Sequence, residues 1–262
     1  ARRSQRRGRG FKSPTVHHHP LRPLASNGMF LLIVTAASIG FVHTVLGPDH
    51  YLPFVVIGRA RRWRLSFTLA VAGLCGLGHV LSSVLIGLVG IGLGAALFRV
   101  EAIEAFRSEA AGWLLIGFGL AYGVWGLHRG FKKKPHLHVH DHANGVEHEH
   151  LHTHQEPDHS HVHPQRSDSS LTPWILFVIF VFGPCEPLIP LMMVPAARAS
   201  LAGVVLVPIA FGASTILTML ALIAGASAGV RLLRLGPFEK YAHAMAGGVI
   251  FLSGIGVRIF GL

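Results

Sequence analysis

Cysteine is almost missing from this chain: Cys75 and Cys185 are the only two in 262 residues, and both lie in apolar segments. That excludes a secreted disulfide scaffold, which needs several pairs. Charge is scarce too, at 13% of residues against 51% hydrophobic. Several apolar runs approach or exceed the roughly 20 residues that cross a bilayer, so the chain reads as a polytopic membrane protein. Acidic residues number 12 against 23 Lys and Arg. In a soluble chain that excess would suggest nucleic acid, but here the basic residues fall between apolar runs, where they control topology, so no nucleic-acid partner is expected.

The apolar runs lie near residues 29–47, 66–97, 111–128, 173–197, 200–229 and 241–261. They predict an all-α fold of six transmembrane helices. The connections after the first, third and fifth runs carry twelve basic residues, against four on the other side. Those connections are therefore expected in the cytoplasm. Residues 1–28, which open ARRSQRRGRG, are expected to be a disordered basic extension, either upstream of a native start at Met29 or a targeting peptide.

Residues 41–54, FVHTVLGPDHYLPF, place His43, Asp49 and His50 in or beside the first run. Ionisable groups in lipid cost several kcal/mol unless paired or bound to an ion, so they read as a functional site. Gly47-Pro48 predicts a helix break that frees backbone carbonyls beside them. A shift of 136 residues lays Gly47-Pro48-Asp49-His50 on Gly183-Pro184-Cys185-Glu186, Gly76 on Gly212, and His79 on Thr215. Two halves of three spans have opposite orientations, so the expectation is an inverted repeat with broken helices meeting near the midplane. The expected divisions are 29–128 and 173–262 for the two repeats, with a His-rich cytoplasmic loop at 129–172.

Asp49 and Glu186 are the only acidic residues expected within spans. With His43, His50, His79 and Cys185 they would form an N/O site with one thiol, suited to nickel, cobalt or zinc. Each imidazole could instead pack between helices, and Cys185 could be a small hydrophobe, as Cys75 is read to be. The tract from His136 to His163 holds eleven histidines, mostly alternating, and reads as a flexible metal-chelating segment.

His43 followed by Asp49-His50, then Gly78-His79, resembles the signature of the nickel/cobalt permeases, and the His-rich loop resembles that of their efflux branch. The wider resemblance is to the lysine-exporter superfamily, including membrane proteins associated with urease accessory genes. Five residues separate His43 from Asp49 where the permease signature has four. The resemblance implies a divalent-metal transporter in the plasma membrane, working by alternating access and leaning to efflux. It implies no catalysis, no prosthetic group, and lipid, metal ions and a cytosolic metallochaperone as partners. Two alternatives come from other classes: a membrane thiol–disulfide electron carrier using Cys75 and Cys185, and an exporter of a sulfur oxyanion. The latter would need a cation within the spans, and none is expected near the motif.

Overall fold

The structure, a computed structural model, describes residues 26–94, 97–132, 136–141, 147–152, 171–183, 185–232 and 236–260. Helix α1 spans Ser26–Leu46, three residues ahead of the expected boundary at Met29. A 3₁₀ turn at Pro48–His50 follows, then α2 at Leu52–Ala60. The long helices α3 (Leu65–Gly92) and α4 (Leu97–Lys132) complete the first half. Strands β1 (His136–Asp141) and β2 (Glu147–His152) pair antiparallel. The second half runs α5 (Leu171–Phe182), α6 (Leu188–Ala197), α7 (Leu201–Leu232), a 3₁₀ turn at Gly236–Tyr241 and α8 (Ala242–Phe260).

Polarity is inverted relative to a water-soluble protein. Phe30, Phe106, Leu201, Leu217 and Ile259 are each more than 60% exposed, whereas Thr44, Ser83, Glu104 and Thr215 are no more than 1% exposed. Such a surface belongs in hydrocarbon, and because lipid offers no hydrogen bonds, Thr44, Ser83 and Glu104 find their partners within the bundle. The protein is an integral membrane protein.

Among the described residues, five helices are long and apolar enough to cross a membrane, and the apolar run at 173–197 is two shorter helices, α5 and α6. A helix break in this region is what the second Gly-Pro motif predicts, and it leaves each piece shorter than a span, at 12 and 10 residues. The physical reason lies in the local sequence: α5 ends before Gly183, and Pro187 caps the start of α6, within what composition alone reads as one apolar run. The run at 66–97 is shorter than expected, because α3 ends at Gly92 and Gly94 turns through a positive φ of 61°. Conversely, α4 is far longer than the apolar run at 111–128 and carries Arg99, Glu101, Glu104, Arg107 and Glu109 in its first half.

The helix contacts recur between halves. Helix α1 packs on α7 and α5 on α3; α2 packs on α8 and α6 on α4; α3 crosses α7 and α4 crosses α8. Glycines make the α3–α7 crossing close. A Cβ on Gly76 would meet Ile216 at 3.4 Å, and one on Gly212 would meet Val80 at 2.7 Å. Both pairs superpose under the 136-residue shift.

At the α1–α7 contact, Ser214 donates to the Ala37 carbonyl at 2.7 Å, and a Cβ on Gly40 would lie 2.8 Å from the Phe211 carbonyl oxygen. Backbone cannot step aside as a side chain can. Gly40→Ala is therefore expected to destabilise the bundle by about 1–3 kcal/mol, the usual range for overpacking. Thermal unfolding in detergent micelles checks it, with Gly73→Ala, which meets nothing within 4 Å, as the neutral control.

Candidate functional site

Helix α1 stops at Leu46 because Pro48 has no amide hydrogen to continue the ladder. The 3₁₀ turn then reverses into α2. His50 fills the break: its Nδ1 lies 3.2 Å from the Gly47 carbonyl oxygen and 3.1 Å from Asp49 Oδ1. Both partners are acceptors, so Nδ1 carries the hydrogen and Nε2 holds the lone pair. That Nε2 is buried with no hydrogen-bond partner, as is Nε2 of His43.

His79 comes from the middle of α3. Its Nδ1 donates to the Phe180 carbonyl at 3.2 Å, which leaves Nε2 as the acceptor for the Cys185 thiol, 2.9 Å away. The His79 ring packs edge-on to His50, centroids 5.2 Å apart, and His50 packs edge-on to His43 at 4.7 Å. His79 thus stands between the break after α1 and the break after α5. The helix break separates His43 from His50 in sequence but brings their rings together, a closure that an unbroken helix, with about 10.5 Å of rise over seven residues, would forbid.

A cavity of about 230 Å³ opens on this cluster, lined among others by His43, Asp49, His50, His79, Gly183 and Glu186. Asp49 is 20% exposed at its wall. Glu186, expected among the central ligands, is exposed at the cavity and makes no part of the imidazole cluster. The 136-residue shift lays it on His50, but the turn after α5 buries Cys185 and leaves the next residue exposed.

The break after α5 is held by residues that the sequence reading did not single out. Arg107 Nη2 donates to the Val181 carbonyl at 2.7 Å, the Gly183 carbonyl at 3.0 Å and Ser82 Oγ at 2.6 Å. Its Nη1 donates to Glu104 and, at 3.1 Å, to Ser83 Oγ. Glu104 Oε2 accepts from the Cys185 backbone amide at 3.2 Å and from Ser83 at 3.1 Å. One ion pair therefore serves the carbonyls freed at the end of α5 and an amide freed before α6. The expectation that only Asp49 and Glu186 are acidic within spans, and that no cation lies near the motif, is corrected by Glu104 and Arg107. Opposite charges three residues apart in a long helix are the signal that could have found them.

Cys75 lies one helical turn before His79 on α3, buried in a cluster with Phe54, Leu176 and Phe180. Cys185 belongs to a second cluster with Val80, Leu188 and Phe211, and both cysteines are free thiols.

Residues 57–256 match the family model described as "Cytochrome C biogenesis protein transmembrane region", more than half of the chain. The chain belongs to that family. It is a family of membrane thiol–disulfide electron carriers, so the assignment favours the second of the three readings and gives metal transport no support. The resemblance to nickel/cobalt permeases is overturned by this match. That resemblance rested on a handful of histidines, whereas the match spans the end of α2, all of α3 to α7 and most of α8. It includes Cys75, His79 and Cys185 and begins after His43, Asp49 and His50. No curated protein and no solved structure gives a significant match.

Of the His-rich tract, the described part is the pair β1 and β2, in which His136 lies opposite His152, His138 opposite His150 and His140 opposite His148. Over those twelve residues the strands are paired, where the tract as a whole was expected to be flexible. The remaining histidines, and residues 1–25, lie outside the described residues.

Proposed function

We propose that this protein is a membrane thiol–disulfide electron carrier whose attacking thiol is Cys185 and whose resolving thiol is Cys75. The observation that carries the reading is the 2.9 Å contact between Cys185 Sγ and His79 Nε2 at a helix break within the family-matched region. His79 takes the thiol proton and leaves a thiolate, the species that attacks a disulfide. Cys185 is fully buried, so exchange proceeds with opening of the segment between α5 and α6.

The thiolate attacks one sulfur of a partner disulfide, forming a mixed disulfide and releasing the partner's other sulfur as thiolate. Cys75 then attacks the Cys185 sulfur, the mixed disulfide breaks, and the partner leaves as a dithiol. The carrier holds the resulting Cys75–Cys185 disulfide. Two electrons and two protons have passed to the partner. Cys75 lies one helical turn from His79, the residue that touches Cys185, but the two cysteines sit in separate buried clusters. Closing the disulfide, which needs Cα atoms 4.4–6.8 Å apart, is therefore assigned to the same opening of the segment between α5 and α6.

The inverted repeat is part of this proposal, supported by the reciprocal packing of α1 on α7 and α5 on α3. With it goes the cytoplasmic placement of the connection between the halves, supported by its basic residues. The oxyanion-exporter reading gains nothing from Arg107, whose Nη atoms are already occupied by Glu104, two serines and two carbonyls.

The test counts thiols. Protein in native membranes is equilibrated with oxidised or reduced dithiothreitol, quenched in acid, denatured and tagged with a maleimide polymer. Two tags per chain after reduction and none after oxidation are expected. Two tags under both conditions would sink the carrier reading.

A further inference from the structure

The histidines at the centre of the bundle do more than a thiol carrier requires, since a single base beside Cys185 would suffice. One ligand nitrogen from each of His43, His50 and His79 lies within 4.8 Å of the other two. Two of the rings are set up to present a lone pair. In His50 the Nδ1 hydrogen is committed to Asp49 and the Gly47 carbonyl, and in His79 to the Phe180 carbonyl. A carboxylate or backbone carbonyl holding the far nitrogen is how metal-ligating histidines are oriented. His50 is 4% exposed, yet its Nε2 has no partner in the protein, and neither does Nε2 of His43. A buried unpaired lone pair is costly and calls for a partner from outside the chain.

We infer that His43, His50, His79 and Cys185 form a site for a bound divalent ion of borderline softness, zinc in chemical class, with Asp49 orienting His50. Three imidazoles and one thiolate are a closed tetrahedral donor set for zinc. With bonds of about 2.1 Å, the nitrogens of such a site stand about 3.4 Å apart. The widest histidine separation must therefore close by about 1.4 Å, and the break after Leu46 lets His43 and His50 approach independently. Charge selects the dication. Binding releases the Cys185 proton, and the thiolate with Asp49 then cancels two positive charges in a setting where a net charge is expensive. While the ion is bound, Cys185 is a ligand and not a nucleophile, so occupancy and disulfide formation exclude each other.

The ion is bound here, not carried across the membrane, and the site does not depend on the carrier reading. The test uses full-length reduced protein in detergent, without oxygen, titrated with Co(II) as the spectroscopic stand-in and then with Zn(II). One equivalent should produce a near-ultraviolet thiolate-to-cobalt band with intense visible tetrahedral bands, and Zn(II) should abolish both. The His-rich connection, residues 129–172, contains no cysteine and cannot give the thiolate band. Cys75→Ser should keep the band and Cys185→Ser should lose it. Asp49→Asn should keep its shape with affinity about 10–100-fold weaker, as for other residues that orient a ligand. No thiolate band in the intact protein, a band that survives Cys185→Ser, or cobalt displaced by Cu(I) but not by Zn(II) would overturn the inference. Because no disulfide is involved in the titration, a protein that gives the band but fails to cycle its thiols defeats only the carrier proposal.

Discussion

Arg107→Leu is expected to be the most destabilising single substitution in the bundle. It leaves the Glu104 carboxylate 1% exposed without its counter-charge and strips the Val181 and Gly183 carbonyls of their donor. Breaking one side of a buried pair typically costs about 3–5 kcal/mol. For a chain of this length that corresponds to a fall in melting temperature on the order of 10 °C. Thermal unfolding in detergent measures it. The double variant Glu104→Gln, Arg107→Gln should recover part of the loss, because no charge is then stranded and two amides can still reach the freed backbone groups. A single variant that melts with the parent would show that the α5–α6 break holds without its clamp.

Cys75→Ser is expected to stop electron transfer at a defined point. Cys185 can still attack a partner disulfide, but no second thiol is present to release it, so the mixed disulfide accumulates. Incubation with a small oxidised dithiol peptide, followed by acid quench and mass spectrometry, should show one peptide attached per chain, at Cys185. Cys185→Ser should show none. Multiple turnover by Cys75→Ser at the parent rate would remove Cys75 from the mechanism and leave Cys185 acting alone.

Much of the site was legible in sequence because ionisable residues in apolar runs have few bland explanations. His43, His50 and His79 do converge, and the Gly47-Pro48 break does what its backbone chemistry implies. Asp49 reads differently in three dimensions, orienting His50 where charge alone had made it a central ligand. Glu186 failed because a repeat aligns positions along the chain, and the direction of a side chain after an irregular turn is set by tertiary packing. Glu104 and Arg107 were missed for a complementary reason: charges lower the hydropathy of the window that contains them. A pair that neutralises itself inside the membrane therefore looks like the end of a span. Composition reads six spans and takes residues 173–197 as one of them, whereas the division of α5 from α6 follows from the second Gly-Pro motif, at Gly183.

The two breaks differ in what secures them. The first is closed by a residue of its own turn, since His50 takes the Gly47 carbonyl, while the second is closed by a side chain from α4. Modularity follows. The segment from α1 through α2 carries the instructions for its own bend, so it should transplant into a related bundle as a continuous cassette. The segment from α5 through α6 is written in two places, and a graft that omits Glu104 and Arg107 would deliver a bend with nothing to hold it open.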